Sequence, residues 1–185
     1  MFDPEFFPTP ESVVHKMLEG FKLCRSGPGC VYGVLEPSAG KGNILDVIKG
    51  LGTSYGGYNG PKLWAIEQNP ELVGLLQSKG YKVVGKDFLS FRPENRIDLI
   101  VMNPPFSVGA KHLLHAWDIL EGGDIACLLN AETIRNPYSE ERKLLASVIE
   151  SFGSVEFLGP VFKSSERSTD VEVALVRLHK ERREE

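Results

Sequence analysis

The chain has 185 residues, 42% of them hydrophobic and 25% charged, which fits one domain with a full-sized core. No apolar run is long enough to span a bilayer, and the N-terminus lacks the basic-then-apolar order of a signal peptide, so no membrane partner is expected. The net charge of −4 excludes a chain-wide basic footprint, so any grip on nucleic acid must come from a local patch, a partner or sequence elsewhere. The three cysteines, Cys24, Cys30 and Cys127, form no CxxC pair. Their odd count predicts no disulfide framework and a reducing, cytoplasmic setting.

Residues 1–7 are aromatic and acidic, without a period. Thr9 then Pro10 reads as an N-cap and first helical residue. Val13, Val14, Met17, Leu18 and Phe21 form one apolar face of a helix over 11–21. Residues 31–36 read as a first strand, 37–43 as a tight turn and 44–51 as a helix. The Gly- and Tyr-rich stretch 52–61 reads as a surface loop. A second strand covers 62–66, a helix 70–80 and a third strand 81–84. A fourth strand, 99–102, is followed by a helix over 110–120 and a fifth strand over 124–129. A helix over 138–151 precedes a sixth strand, 154–158, and a seventh, 171–178. Residues 177–185 read as a solvated tail. Strands alternating with helices predict a single α/β domain over 1–185: a Rossmann-like, seven-stranded, mostly parallel sheet covered by helices on both faces. The last two strands follow one another directly and predict an antiparallel pair at one edge.

The fourth strand stops at Asn103-Pro104-Pro105-Phe106. Two successive prolines cannot continue a sheet ladder, because neither carries an N–H. The strand therefore ends in an amide, two carbonyls of fixed direction and an aromatic ring, beyond the carboxyl end of a central strand where ligands bind in such sheets. The Asn103 oxygen and the Pro104 carbonyl are two acceptors that suit an NH2 group, and Phe106 can stack on a flat ring.

Other candidates lie at neighbouring strand ends. Gly40 and Gly42 let a ligand approach the backbone of the turn after the first strand. Leu35 and Gly42 stand where a Walker A loop needs Gly and Ser or Thr, so a phosphate cradle is disfavoured. Glu36 would repel phosphate but suits a cation, such as an ammonium or a sulfonium. Glu67 ends the second strand and can accept the hydroxyls of a ribose. Asp87 and Phe88 follow the third strand; the carboxylate can accept from an adenine amine and the ring can stack on it. One such carboxylate is ordinary, but three at successive strand ends form a pattern. His112 and His115 have no Cys or third His beside them, so no metal site is expected.

Taken together, these motifs resemble the class I S-adenosylmethionine-dependent methyltransferases, most of all the DNA adenine-N6 methyltransferases. Thr9-Pro10 resembles the family's N-terminal cofactor motif, within a lid-like region over 1–30. Glu36-Pro37-Ser38-Ala39-Gly40-Lys41-Gly42 resembles its glycine-rich loop. Glu67 resembles its ribose-binding acid and Asp87-Phe88 its adenine-binding pair. Asn103-Pro104-Pro105-Phe106 matches the catalytic signature, and 155–162 followed by 171–177 resembles a late motif in which Phe162 takes the place of the aromatic residue beside the extruded base. The resemblance implies methyl transfer from S-adenosylmethionine to the N6 amine of a flipped adenine held by Phe106 and Phe162. It implies a nucleic-acid partner, DNA ahead of RNA, with Lys163 and Arg167 beside Phe162 able to meet phosphates. The same tetrapeptide can also hold an RNA adenine or a protein glutamine. A non-catalytic, cofactor-binding subunit is a further reading. No stretch is long enough for a separate target-recognition domain, so sequence readout points to a specificity subunit or a second copy.

Overall fold

The computed structural model describes residues 7–54, 56–163 and 169–182. Its main sheet has seven strands: β1 (Gly33–Glu36), β2 (Lys62–Ile66), β3 (Lys82–Gly85), β4 (Leu99–Met102), β5 (Gly123–Asn130), β6 (Gly153–Gly159) and β7 (Val173–Lys180). They lie in the order β3-β2-β1-β4-β5-β7-β6. The first five of that row pair in parallel. β7 runs antiparallel between β5 and β6. The antiparallel pair expected at one edge is present, with the later strand as its inner member. Composition explains the choice: Val173, Ala174, Leu175 and Val176 of β7 are all buried, whereas most of β6 is exposed or half-buried.

The helices are α1 (Glu11–Leu18), α2 (Asn43–Leu51), α3 (Pro70–Ser78), α4 (Gly109–Ile119), α5 (Ala131–Arg135) and α6 (Glu140–Phe152). Strand side chains alternate between two cores. Leu99 and Val101 of β4 pack with Val14 and Met17 of α1 and Ile44 and Ile48 of α2. Ile100 and Met102 pack on the other face with Leu113 of α4 and Leu145 of α6.

Several expectations are corrected. Helix α1 ends at Leu18 rather than 21, because Gly20 takes φ 87°, outside the helical region. The 52–61 loop contains a short hairpin, Thr53–Ser54 against Gly57–Tyr58. Helix α5 was not foreseen: five residues are too few to show a period, and its start is fixed by the Asn130 side chain accepting from Glu132 N. The solvated tail is instead structured at its start. β7 runs to Lys180, and Arg182 donates to Asp98 Oδ1 at 2.8 Å and to the Gly122 carbonyl at 2.9 Å. Cys24 and Cys30 form a disulfide across a six-residue separation. One local link is not a framework, but the odd count did not anticipate it, and cysteine usage therefore no longer argues for a reducing compartment. Cys127 is free and buried, and burial pushes its thiol up. Among the described residues, no helix is long and apolar enough to cross a membrane.

Two features frame the site. At the amino ends of the strands, Asp98 accepts from Tyr32 N, Gly33 N, Arg96 Nε and Arg182, at 2.7–3.1 Å, and is 7% exposed. It joins the entries of β1 and β4 to the C-terminal segment. Between β3 and β4 the chain makes only a 3-10 turn, Phe88–Ser90, instead of an α-helix. This leaves a cleft of about 560 Å3 beside β3, lined by Trp64, Val84, Asp87, Phe91, Arg92 and Ile97 among others.

Candidate active site

The strand order reverses direction at β1: the chain winds outward through β2 and β3, then returns to place β4 on the other side. In open α/β sheets a crevice forms at that switch point, outside the carboxyl ends. The order β3-β2-β1-β4 sets Asp87, Glu67, Glu36 and Asn103 at four adjacent strand ends. At the spacing of neighbouring strands this row spans ~14 Å. All the parallel strand ends singled out on sequence are thus neighbours.

Glu36 closes β1 and is 2% exposed. Its Oε2 has no hydrogen-bond partner. Burial holds its carboxyl well above the usual carboxylate range, against the opposing pull of the Leu45 backbone N–H. A buried, unsatisfied carboxyl oxygen is costly unless a donor meets it. The turn that follows runs through Pro37 and Ser38 to Gly40 (φ 54°) and Gly42 (φ 85°), both left-handed. A Cβ at Gly42 would come within 2.9 Å of Leu76 Cδ2, so the turn packs tightly on α3.

Glu67 supports that turn. Its Oε2 accepts from Gly40 N and its Oε1 from Asn69 N, each at 2.8 Å. Each carboxylate oxygen keeps a second lone pair for a hydroxyl. Asp87 opens onto the β3 cleft and caps the following 3-10 turn through Leu89 N. The Ser90 side chain and the turn amides hold its carboxyl below its ordinary value. Phe88 is a correction. It is 3% exposed, with His112 and His115 edge-on at 5.6 and 4.8 Å, so it belongs to the core and presents no open stacking face.

At the other end of the row, Asn103 Nδ2 donates to the Phe7 carbonyl at 2.9 Å and to Thr9 Oγ1 at 3.1 Å. A carbonyl can only accept, so the amide nitrogen faces the Phe7–Thr9 strap and Oδ1 faces away from it. Asn103, Glu36, Ser38 and Asn43 share a hollow with residues Phe7 to Thr9. Its volume is about 10 Å3, on the scale of one water molecule. The strap therefore lies closed over the switch point. Thr9 uses its hydroxyl on Asn103 and does not cap α1, whose boundary residue is Pro10. Pro104 is buried, Pro105 is half-buried, and Phe106 begins the 3-10 turn that leads into α4.

The aromatic pair expected around a base is present but covered. Phe162 is fully buried, 6.1 Å from Phe106 between ring centroids. Phe7 stacks on Phe106 at 5.9 Å and 23°, and lies 5.8 Å from Phe162. The ring face expected to take a base is held by the chain's own phenylalanine. Lys163 is exposed and pairs with Asp170 at 3.6 Å. Arg167 lies outside the described residues. Sequence reasoning missed Phe7 and Asn43. Asn43 carried a signal, an amide at the first turn of α2; Phe7 carried none, since its contact spans 96 residues.

No protein-family model and no curated protein matches the chain. Solved structures share its fold. A dimethyladenosine transferase from Plasmodium falciparum superposes with a TM-score of 0.64 at 14% identity, over 94% of this chain and 63% of that one. The 23S rRNA methyltransferase ErmE gives 0.62 at 18%, over 97% and 71%. The plantazolicin methyltransferase BpumL, solved in complex with SAH, gives 0.54 at 12%, over 92% and 82%. At these identities the likeness establishes the Rossmann-like methyltransferase fold. The chain spans under two thirds of the Plasmodium enzyme.

Proposed function

We propose that the chain is an S-adenosylmethionine-dependent methyltransferase acting on the N6 amine of adenine in nucleic acid. The observation that carries this reading is the unpartnered Glu36 Oε2 in one hollow with Asn103, at the switch point of the sheet. A buried carboxyl without a donor fits a cationic amine, and the adjoining row of acceptors fits the rest of a nucleoside. When bound, S-adenosylmethionine supplies a methyl group made electrophilic by its sulfonium. Glu36 takes the ammonium, with Ser38 and the Gly40–Gly42 turn around the amino-acid end. Glu67 accepts ribose hydroxyls, and Asp87 takes the adenine amine beside the β3 cleft. Thr9 borders the same hollow with Phe7 and Pro8, and Pro10 carries this strap into α1.

On the acceptor side, Asn103 Oδ1 and the Pro104 carbonyl hold the two hydrogens of the target amine. This favours the pyramidal nitrogen needed in the transition state and aligns its lone pair. With the cofactor held there, its methyl group would pass to that nitrogen with the thioether as leaving group, and the amine would lose its proton to solvent. Phe106 carries the base once the Phe7 ring rotates aside, its backbone carbonyl staying on Asn103, with Phe162 behind it and Lys163 and Arg167 near the backbone. Phe88 is left out of the adenine site.

RNA stands ahead of DNA, because an rRNA methyltransferase and a dimethyladenosine transferase are among the proteins that share the fold. The test is transfer of a labelled methyl group to RNA, to duplex DNA and to protein, each digested to monomers. The expected product is N6-methyladenosine. Label in N6-methyldeoxyadenosine would return the substrate to DNA, and label in glutamine or in no acceptor would refute the adenine reading.

A further inference from the structure

The two ends of the Asn103 amide have opposite chemistry, and only one of them can hold a substrate NH2. Two contacts from the strap settle which end of the amide it engages. The Phe7 carbonyl has no hydrogen to give, so at 2.9 Å it must face Nδ2. Thr9 Oγ1, at 3.1 Å, takes a hydrogen from the same nitrogen. Both N–H groups are thereby engaged, and Oδ1 is turned away from the strap. Reversing the amide would set an oxygen against the Phe7 carbonyl and offer an N–H to an incoming amine, leaving donor against donor.

Thr9 is well placed to hold this orientation. It is 5% exposed and precedes Pro10, whose fixed φ leads into α1. The Pro10 carbonyl accepts from Val13 N and Val14 N at 3.0 Å, and Val14 and Met17 are fully buried. The hydroxyl is thus carried by a helix anchored in the core.

We propose that Thr9 is a positioning residue for methyl transfer, its hydroxyl locking the Asn103 amide with the oxygen toward the acceptor amine. The role rests on the amine-methylating reading above. It differs from a cofactor contact, because it acts on turnover through Asn103. With one of two restraining bonds gone, the productive orientation is less populated, and a fall in kcat of about five- to tenfold is expected for Thr9→Val.

The test measures kcat, KM for the nucleic-acid acceptor and affinity for S-adenosylmethionine in Thr9→Val and Thr9→Ser. It adds hydrogen exchange of the Asn103 side-chain amide, followed by NMR without substrate. Expected are the fall in kcat for Thr9→Val with both affinities within about twofold, recovery in Thr9→Ser, and slow Nδ2 exchange in the wild type that quickens in Thr9→Val. Unchanged kcat in Thr9→Val, a loss confined to cofactor affinity, or free-amide exchange in the wild type would each overturn the role. If the wild type methylates no adenine, the functional reading fails, while the exchange experiment still decides whether Thr9 holds the amide.

Discussion

The two ends of β4 are built on opposite terms. At its entry Asp98 is surrounded by donors: two backbone amides and two arginines, all within 3.1 Å. Five residues later Asn103 offers an oxygen turned from its restraining contacts, and next to it Glu36 keeps an oxygen that no donor reaches. Both carboxylates are buried, at 7% and 2% exposure, so burial alone does not separate them. Satisfaction does. The amino ends are finished by the chain itself, whereas the carboxyl ends are left with acceptors that a ligand would complete. Stability and function are thus divided along the same strands.

This contrast can be broken from either side. The largest effect is expected for Asn103→Ala, which removes an amine acceptor but no part of the Glu36–Glu67 row. Methyl transfer should fall about 100- to 1000-fold with cofactor affinity within a few-fold; single-turnover assays beside calorimetry check this. Next comes Asp98→Ala, which strands two backbone amides. It should cost ~3 kcal/mol, seen as a lowered denaturation midpoint, with unaltered cofactor affinity in the folded fraction.

Glu36→Gln should act in two directions. Cofactor binding weakens about 10- to 100-fold, because the neutral amide cannot neutralise an ammonium. The ligand-free protein becomes more stable at neutral pH. Glu36 titrates above its unfolded value, so its stabilising, protonated form is complete below the ordinary carboxylate range and is lost as pH rises toward the raised value. Glutamine has no such proton to lose. Thermal melts from pH 4 to 8 should show a wild-type decline that Glu36→Gln lacks, with a gain of about 2–4 °C near neutrality per kcal/mol. For the same reason wild-type cofactor binding should tighten with rising pH and release a proton. The smallest effect is expected from reducing Cys24–Cys30. The closed loop is short, so stability falls by at most about 2 kcal/mol, and cofactor affinity stays the same.

Much of this division was readable in the chain. Short apolar runs gave the strands, and acids or Asn-Pro-Pro breaks marked their ends, because period and proline are local signals. The acids and Asn103 were readable as residues at successive strand ends, but their order as the row Asp87–Glu67–Glu36–Asn103 came only from the sheet topology. What was hidden depends on distant partners. Phe88 looks like a stacking ring until His112 and His115 close on it. Phe106 looks open until Phe7 covers it. Asp98 carried no local signal of its role, since its donors lie 65 residues earlier and 84 later. Thr9 was readable as a residue of the site, but its bond to Asn103, 94 positions away, was not.

The most direct measurement is a crystal structure with S-adenosylhomocysteine bound. The account predicts the amino group within hydrogen-bonding distance of Glu36, the ribose at Glu67, the adenine toward Asp87 and the sulfur facing Asn103. A ligand seated elsewhere in the β3 cleft, or bound with its amino group away from Glu36, would contradict it.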